Sequence, residues 1–138
     1  MTVTSSETDA FVRAYMATAL WAETDNADES GGEPLDANYG FEDFTERSQN
    51  IMRADCQKFL AHDGVVQAIQ DGDNRGPDGS GPFEMAGHDF WLTRNGHGAG
   101  FWDGDWPEPY GDRLDRAARL FGQCDIIVGD DDTLEVMG

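Results

Sequence analysis

A chain of 138 residues with 38% hydrophobic residues is long enough to bury one core, so we expect a single folded domain over residues 1–138. Its formal net charge is −19, from 28 acidic against 9 basic residues. Such a negative field repels nucleic acids and anionic membranes, which argues against direct binding to either, and it attracts basic protein surfaces.

The N-terminal part of the chain predicts a helix followed by an acidic loop. After a flexible tail at 1–5, apolar residues at helical spacing predict an amphipathic helix over 7–24. Residues 25–40 lose this periodicity and are rich in acidic residues and glycine. This composition indicates a solvated surface loop.

A second helix follows, with either Asp43 or Thr45 as its N-cap. We expect Gly64 to interrupt this helix and two further turns to continue after it. Residues 71–82 are rich in Asp, Gly and Pro and predict a second acidic surface loop. They do not predict a calcium loop, because a basic residue and a proline stand at two of the ligand positions.

The run GHDFWLTRNGHGAGFWD, from Gly87 to Asp103, dominates the middle of the chain. Phe90 and Leu92 alternate with residues of the opposite face, which is the period-2 pattern of a half-buried strand. The glycines that follow favour a turn with positive φ values, and the alternation resumes at Phe101. The run therefore predicts a β-hairpin whose aromatic rings pack under the helices.

The C-terminal third predicts one more helix and two strands. Apolar residues at i, i+3, i+4 and i+7 from Leu114 predict a helix that ends at Gly122. Two short apolar segments, 124–128 and 133–137, flank an acidic turn and predict strands. The complete order is α-α-β-β-α-β-β, which predicts an α+β fold with an antiparallel sheet of three to four strands and helices packed on one face.

The cysteines and the N-terminus predict where the protein resides. Cys56 lies in an apolar helical pattern and Cys124 beside an apolar strand, so we expect two buried free thiols in a reducing compartment. The polar, acidic N-terminus lacks the pattern of a signal peptide. No apolar run approaches the roughly 18 residues of a membrane span. We expect a soluble protein in the cytoplasm.

One hypothesis gives the central hairpin a chemical role, as the centre of a metal-dependent hydrolase. The hairpin would bring His88 and His97 towards Asp103, and two imidazoles with a carboxylate can bind zinc or iron. Against this, His88 would begin a strand while His97 would lie at the loop tip, separated by several residues of about 3.3 Å each. The plainer interpretation gives His88 and Asp89 local hydrogen bonds, makes His97 a loop residue and gives the protein no cofactor.

Other catalytic signatures are missing from the sequence. No Gly-x-Ser-x-Gly motif, phosphate-binding loop or dinucleotide fingerprint occurs. Neither cysteine has a histidine beside it, and carboxylate pairs are too numerous in this chain to be informative. We therefore expect a protein without enzymatic activity.

The run HDFWLTRNGHGAGFWD, followed by the segment Gly111–Leu114 and the turn at 128–131, resembles a group of small phage and prophage proteins. The resemblance covers 86–135 closely and 8–60 more loosely, and 71–82 stands out as an insertion. This group has no assigned activity, so the resemblance implies no catalytic residue. It implies a phage accessory protein expressed inside a bacterial or archaeal host.

The resemblance and the charge together lead to a functional hypothesis: a non-enzymatic inhibitor of host defence that binds the basic groove of a nucleic-acid-binding host protein. It would be a DNA mimic of the anti-restriction or anti-CRISPR type. Duplex DNA carries about one charge per 1.7 Å, so a mimic needs rows of carboxylates. Three rows are candidates for the partner-binding surface: Asp25, Asp28, Glu29, Glu33 and Asp36; Asp103, Asp105, Glu108, Asp112 and Asp115; and Asp130, Asp131 and Asp132.

A second hypothesis requires no such partner. A structural or interaction domain of a phage or a halophile would carry the same carboxylates as an adaptation to high salt. A GC-rich genome would also favour Asp and Arg over Lys. Both hypotheses, and the oligomeric state, remain open at this point.

Overall fold

The computed structural model describes residues 3–24, 34–97, 100–102, 105–129 and 131–137. Within these ranges the chain forms five α-helices and one pair of strands: α1 Ser5–Ala22, α2 Glu46–Ala61, α3 Val65–Gly72, α4 Pro82–Arg94, α5 Tyr110–Arg119, β1 Asp125–Val128 and β2 Leu134–Met137. Two 3-10 turns, Leu35–Ala37 and Phe41–Asp43, precede α2. The fold is broadly α+β, as predicted, but the sheet in the described part of the chain has two strands instead of three or four.

The predicted central hairpin is wrong, because its first strand is the second half of the helix α4. This helix has proline in its first turn, and the side chain of Glu84 accepts a hydrogen bond from the Gly81 amide at 3.2 Å. Counted from Phe83, its buried positions include i+3, i+4, i+7, i+8 and i+11, which is helical spacing. The alternation of Phe90 and Leu92 was uninformative, because all of the last six residues of α4 are buried.

Two glycines after α4, Gly96 and Gly100, adopt the positive φ values that the sequence predicted. Gly96 has a φ of 71° and Gly100 a φ of 149°. The Phe101 amide donates a hydrogen bond to Oγ1 of Thr93 at 3.0 Å. The chain therefore folds back onto the last turn of α4, and residues 100–102, the described part of the predicted second strand, form a turn.

Several other elements match their predictions. Thr45 is the N-cap of α2 and accepts a hydrogen bond from the amide three residues later at 3.2 Å. Gly64, with a φ of 80°, separates α2 from α3. β1 and β2 pair antiparallel, with Ile127 opposite Glu135. The acidic segment at 71–82 is a loop except at its ends, which belong to α3 and α4.

The core is organised around the contact between α1 and α4, which run in the same direction. A Cβ atom at Gly87 would overlap the carbonyl oxygen of Phe11, so only glycine permits this approach of the two backbones. One turn further along, the rings of Tyr15 and Phe90 have centroids 5.1 Å apart. Phe59 of α2 also stacks on Phe90, with centroids 4.2 Å apart.

The aromatic rings of the central run pack in the core as predicted, with one exception. Phe90, Trp91 and Phe101 are at most 1% exposed, whereas Trp102 is 51% exposed. Cys56 and Cys124 are free and buried, also as predicted. In the ranges given above, no helix combines the length and the apolar character that crossing a membrane requires.

Substitution of Gly87 tests the close approach of α1 and α4. Alanine has a higher intrinsic helix propensity, by about 1 kcal/mol. The added methyl group must push the helices apart, however, so we expect Gly87→Ala to lower the free energy of unfolding by about 2 kcal/mol. Gly81→Ala is the control, because a Cβ atom there meets only Oε1 of Glu84 at 3.8 Å. Urea titrations at one fixed salt concentration measure both, and equal losses would contradict this role of Gly87.

Candidate functional site

The helix α4 carries polar side chains into the core, and these define the candidate site. Asp89, Thr93 and Arg94 are 3%, 2% and 7% exposed. A buried polar group without a partner costs about 1–3 kcal/mol. The partners of each group therefore show whether it is engaged in the fold or free for chemistry.

Asp89 links His88 to the segment that precedes α5. Its Oδ2 accepts a hydrogen bond from Nε1 of Trp106 at 2.7 Å, and its Oδ1 lies 2.9 Å from Nδ1 of His88. A carboxylate in this position favours a proton on Nδ1, which leaves Nε2 of His88 as an acceptor. The His88 side chain is 40% exposed, and its ring lies 6.0 Å from that of Trp21.

The second histidine of the run contacts a different carboxylate, Glu23. Oε2 of Glu23 accepts a hydrogen bond from Nε1 of Trp91 at 3.0 Å and lies 2.7 Å from Nε2 of His97. The C-terminal end of α1 thus contacts both histidines, His88 through Trp21 and His97 through Glu23. The sequence pattern singled out neither Trp21 nor Glu23, although a buried indole N–H usually has an acceptor.

Arg94 is the central polar group of the core. Its Nη1 donates hydrogen bonds to Oδ2 of Asp55 at 2.9 Å and to the hydroxyl of Tyr15 at 3.0 Å. Its other nitrogens donate to the carbonyl oxygens of Phe121 and Gly122 at 3.3 and 2.9 Å. Arg94 therefore ties α1, α2 and α4 to the segment that leads into β1.

Burial and this arginine set the ionisation of the neighbouring groups. Burial by itself lowers the pKa of Arg94, but the ionisable groups of Tyr15, Cys124 and Asp55 more than offset this effect, so that its pKa is raised. Burial raises the pKa of Tyr15 well above its ordinary value, although Arg94 opposes the shift. Burial likewise raises the pKa of Cys56.

Of the metal ligands in the hydrolase hypothesis, the structure describes the two histidines and gives each a separate partner. His88 and His97 are held by two different carboxylates, and Asp103 lies outside the described residues. Among the residues that the structure describes, no three His, Cys, Asp or Glu side chains are placed to hold a metal ion. Asp89 and Glu23 each already accept an indole N–H, so their contacts are those of structural anchors.

The acidic positions predicted for partner binding are only partly described. Those that lie outside the described residues are Asp25, Asp28, Glu29, Glu33, Asp103 and Asp130. The remaining positions outside α5 are exposed: Asp36, Asp105, Glu108, Asp131 and Asp132. The hydroxyl of Thr133 donates a hydrogen bond to Asp131, which lowers the pKa of that carboxyl and favours its charged form.

The acidic row on α5 is paired with arginines of the same helix. Asp112 lies 3.0 Å from Arg116, and Asp115 lies 2.9 Å from Arg119, both at i,i+4 spacing. The side chain of Asp115 is only 17% exposed. The positive flank partly cancels the field of these two carboxylates, so α5 offers less free negative charge than the spacing of its acids suggests.

Other arginines also bind carboxylates of the chain itself. Four further pairs have N–O distances between 2.9 and 3.1 Å: Arg47–Glu135 (3.0 Å), Arg53–Asp9 (3.1 Å), Arg75–Asp73 (3.0 Å) and Arg94–Asp55 (2.9 Å). Most of the few cations are therefore committed to internal pairs. The excess of carboxylates on the surface stays uncompensated.

Comparisons with protein families, with curated proteins and with solved structures found no match to this chain. The assignment of a function therefore depends on the geometry and charge described above. The resemblance of the central run to phage and prophage proteins remains a prediction.

The buried ion pair of Arg94 should dominate the stability of the candidate site. Arg94→Met removes the donor for Asp55, Tyr15 and two carbonyl groups at once, and we expect a loss of about 3–5 kcal/mol in the free energy of unfolding. Arg53→Met breaks the exposed pair with Asp9 and should lose less than about 1 kcal/mol. Urea titrations compare the two variants. Similar losses would show that Arg94 is not a central stabilising group.

Alkaline pH should destabilise the fold through Tyr15 and the cysteines. The pKa values of Tyr15, Cys56 and Cys124 are raised in the folded protein. In the unfolded chain these pKa values are about 8.5 for Cys and about 10 for Tyr. The contribution of each group to stability is therefore complete below its unfolded pKa and is lost as the pH rises above it. Each group then lowers the free energy of unfolding by up to about 1.4 kcal/mol per pH unit. Unfolding titrations between about pH 7 and 11 under reducing conditions measure this. Tyr15→Phe should remove only the component above about pH 10, and an unchanged slope there would contradict the assignment.

Proposed function

We propose that this chain is a non-enzymatic accessory protein that binds a basic surface of another protein. The observation that carries the proposal is a net charge of −19 combined with arginines that are largely committed to internal ion pairs. In the described ranges, the exposed carboxylates of Asp36, Glu108, Asp131 and Asp132 form no ion pair with the protein's own cations. Carboxylates of this kind attract a positively charged partner and accelerate its association.

A binding role is favoured over catalysis by the way the polar groups of α4 are used. Asp89 and Glu23 each hold a histidine and an indole N–H, and Arg94 holds four acceptors from three other parts of the chain. These side chains satisfy one another, as the members of a buried structural network do. The surface charge is then the property that remains for function.

We propose more specifically that the partner is a nucleic-acid-binding host protein. The chain would compete with DNA for this partner and so act as a phage inhibitor of host defence. The sign of the charge and the resemblance of the central run to phage proteins support this form. The arginines on α5 weaken that helix as a mimic of phosphate rows. Asp131 and Asp132, in an exposed turn, are better placed for contact.

Affinity capture across a salt series tests the proposal. The immobilised protein is exposed to lysate of a bacterial or archaeal host at rising KCl, and circular dichroism checks folding at each concentration. We expect basic nucleic-acid-binding proteins to be retained at low salt and to be released by higher salt or by added duplex DNA, because both screen or compete for charge. Retention of no such protein at the lowest salt that supports folding would overturn the proposal. A need for molar KCl to fold would then favour adaptation to salt.

Charge variants with a matched control identify the carboxylates that matter. Asp131→Asn with Asp132→Asn removes two unpaired charges, and asparagine tolerates the φ of 60° at position 132. We expect the association rate with a captured partner to fall by roughly threefold to tenfold at low salt. Asp112→Asn with Arg116→Gln removes an existing pair, keeps the net charge, and should change the rate little. Stopped-flow or biosensor kinetics measure both, and equal effects would contradict a role for the turn.

A further inference from the structure

The strand β1 forms an open edge of the two-stranded sheet. The Gly129 amide donates a hydrogen bond to the carbonyl oxygen of Thr133 at 2.7 Å, and bonded and non-bonded pairs alternate along an antiparallel ladder. Ile127 therefore directs its main-chain groups at β2. Ile126 and Val128 direct theirs away from the sheet.

The opposite edge of the sheet, on β2, is already covered. The carbonyl oxygen of Leu134 accepts a hydrogen bond from the Thr45 amide at 3.1 Å. The amide of Val136 donates to Oγ of Ser48 at 2.9 Å. Within the ranges that the structure describes, no comparable hydrogen bond reaches the outward groups of β1. The sheet therefore has one occupied edge and one available edge.

The β1 edge lacks most of the features that usually prevent strand addition. Its sequence, DIIV, contains no lysine, no proline and no bulge, although the strand is short. On its solvent face, Ile127 is 48% exposed and Met137 of β2 is 46% exposed. This arrangement leaves both main-chain hydrogen-bonding groups and apolar surface open to a partner.

Acidic residues flank this apolar centre. Asp125 begins β1 and pairs across the ladder with Met137. Asp131 and Asp132 lie exposed in the turn that follows β1. An extended segment placed along the edge would meet negative charge at each end and the Ile127 side chain in the middle.

We propose that β1 accepts an extended, basic segment of a partner protein as a third strand of the sheet. Main-chain hydrogen bonds from Ile126 and Val128 would supply affinity, and side chains that alternate between basic and apolar would match the face. This inference rests on the proposed function and specifies where and how the partner binds. A second copy of the chain is a poorer occupant, because it would bring its own Asp125, its own acidic turn and a charge of −19 to the same place.

A pair of synthetic peptides tests strand addition directly. The first is a short peptide of alternating lysine and valine. The second has the same sequence but is N-methylated at alternate residues, so that it keeps the charge and loses the hydrogen-bond donors of one edge. We expect only the unmodified peptide to slow hydrogen exchange at the Ile126 and Val128 amides, by roughly tenfold or more, and to bind roughly tenfold more tightly than the methylated one.

Variants of the protein complement the peptides. Val128→Pro removes an outward amide and leaves the ladder to β2 intact, so it should weaken the unmodified peptide by roughly tenfold. Ile127→Lys adds a positive charge and removes apolar surface on the same strand. Leu120→Lys makes the same change in charge at a residue that is 72% exposed outside the sheet, and it should have a much smaller effect than Ile127→Lys. Urea titration of each variant confirms that the fold is kept.

The outcomes distinguish this inference from the proposed function. Equal binding of both peptides, or unprotected Ile126 and Val128 amides, would overturn strand addition while leaving binding by charge intact. Binding of neither peptide at low salt would count against the proposed function itself. Protection of these amides in the peptide-free protein, together with a dimer in sedimentation, would show that a second copy occupies the edge and would also overturn the inference.

Discussion

The close approach of α1 and α4 at Gly87 and Phe11 is the constraint from which the arrangement of the other polar and aromatic groups follows. Because the two backbones nearly touch there, the side chains further along both helices meet in a fixed register. Tyr15 reaches Arg94, and the end of α1 reaches the two histidines of the central run. A bulkier residue at position 87 would separate the helices and leave these buried polar groups without partners.

The same geometry explains why the polar residues of the central run are a framework and not a collection of free reactive groups. The carboxylates of Asp89 and Glu23 stabilise buried indole N–H groups and orient the histidines. Arg94 satisfies four acceptors from segments that are distant in sequence. A helix that is buried over its last six residues can carry such groups only because each has a partner.

The surface has a different character, because charge there is plentiful and unevenly compensated. Arginines of α2 and α5 pair with carboxylates nearby, whereas the exposed turn between β1 and β2 carries acidic residues without an ion pair in the described ranges. The open main-chain edge of β1 lies next to this turn. Negative charge and an unpaired strand edge thus occur on the same element, and together they define a surface suited to a basic, extended partner.

Composition and local pattern by themselves determined the charge, the buried thiols, the break at Gly64 and the C-terminal strand pair, because each depends on residue type or on near neighbours. The conformation of the central run depended on its surroundings. The short alternation around Phe90 and Leu92 is compatible both with a strand and with a helix that is buried on all sides. Only packing against α1 selects the helix. Tertiary structure also decided which acidic residues pair between distant segments and which carboxylate holds His97. Those partners lie far apart in the sequence, by 88 residues for Arg47–Glu135 and by 74 residues for Glu23–His97.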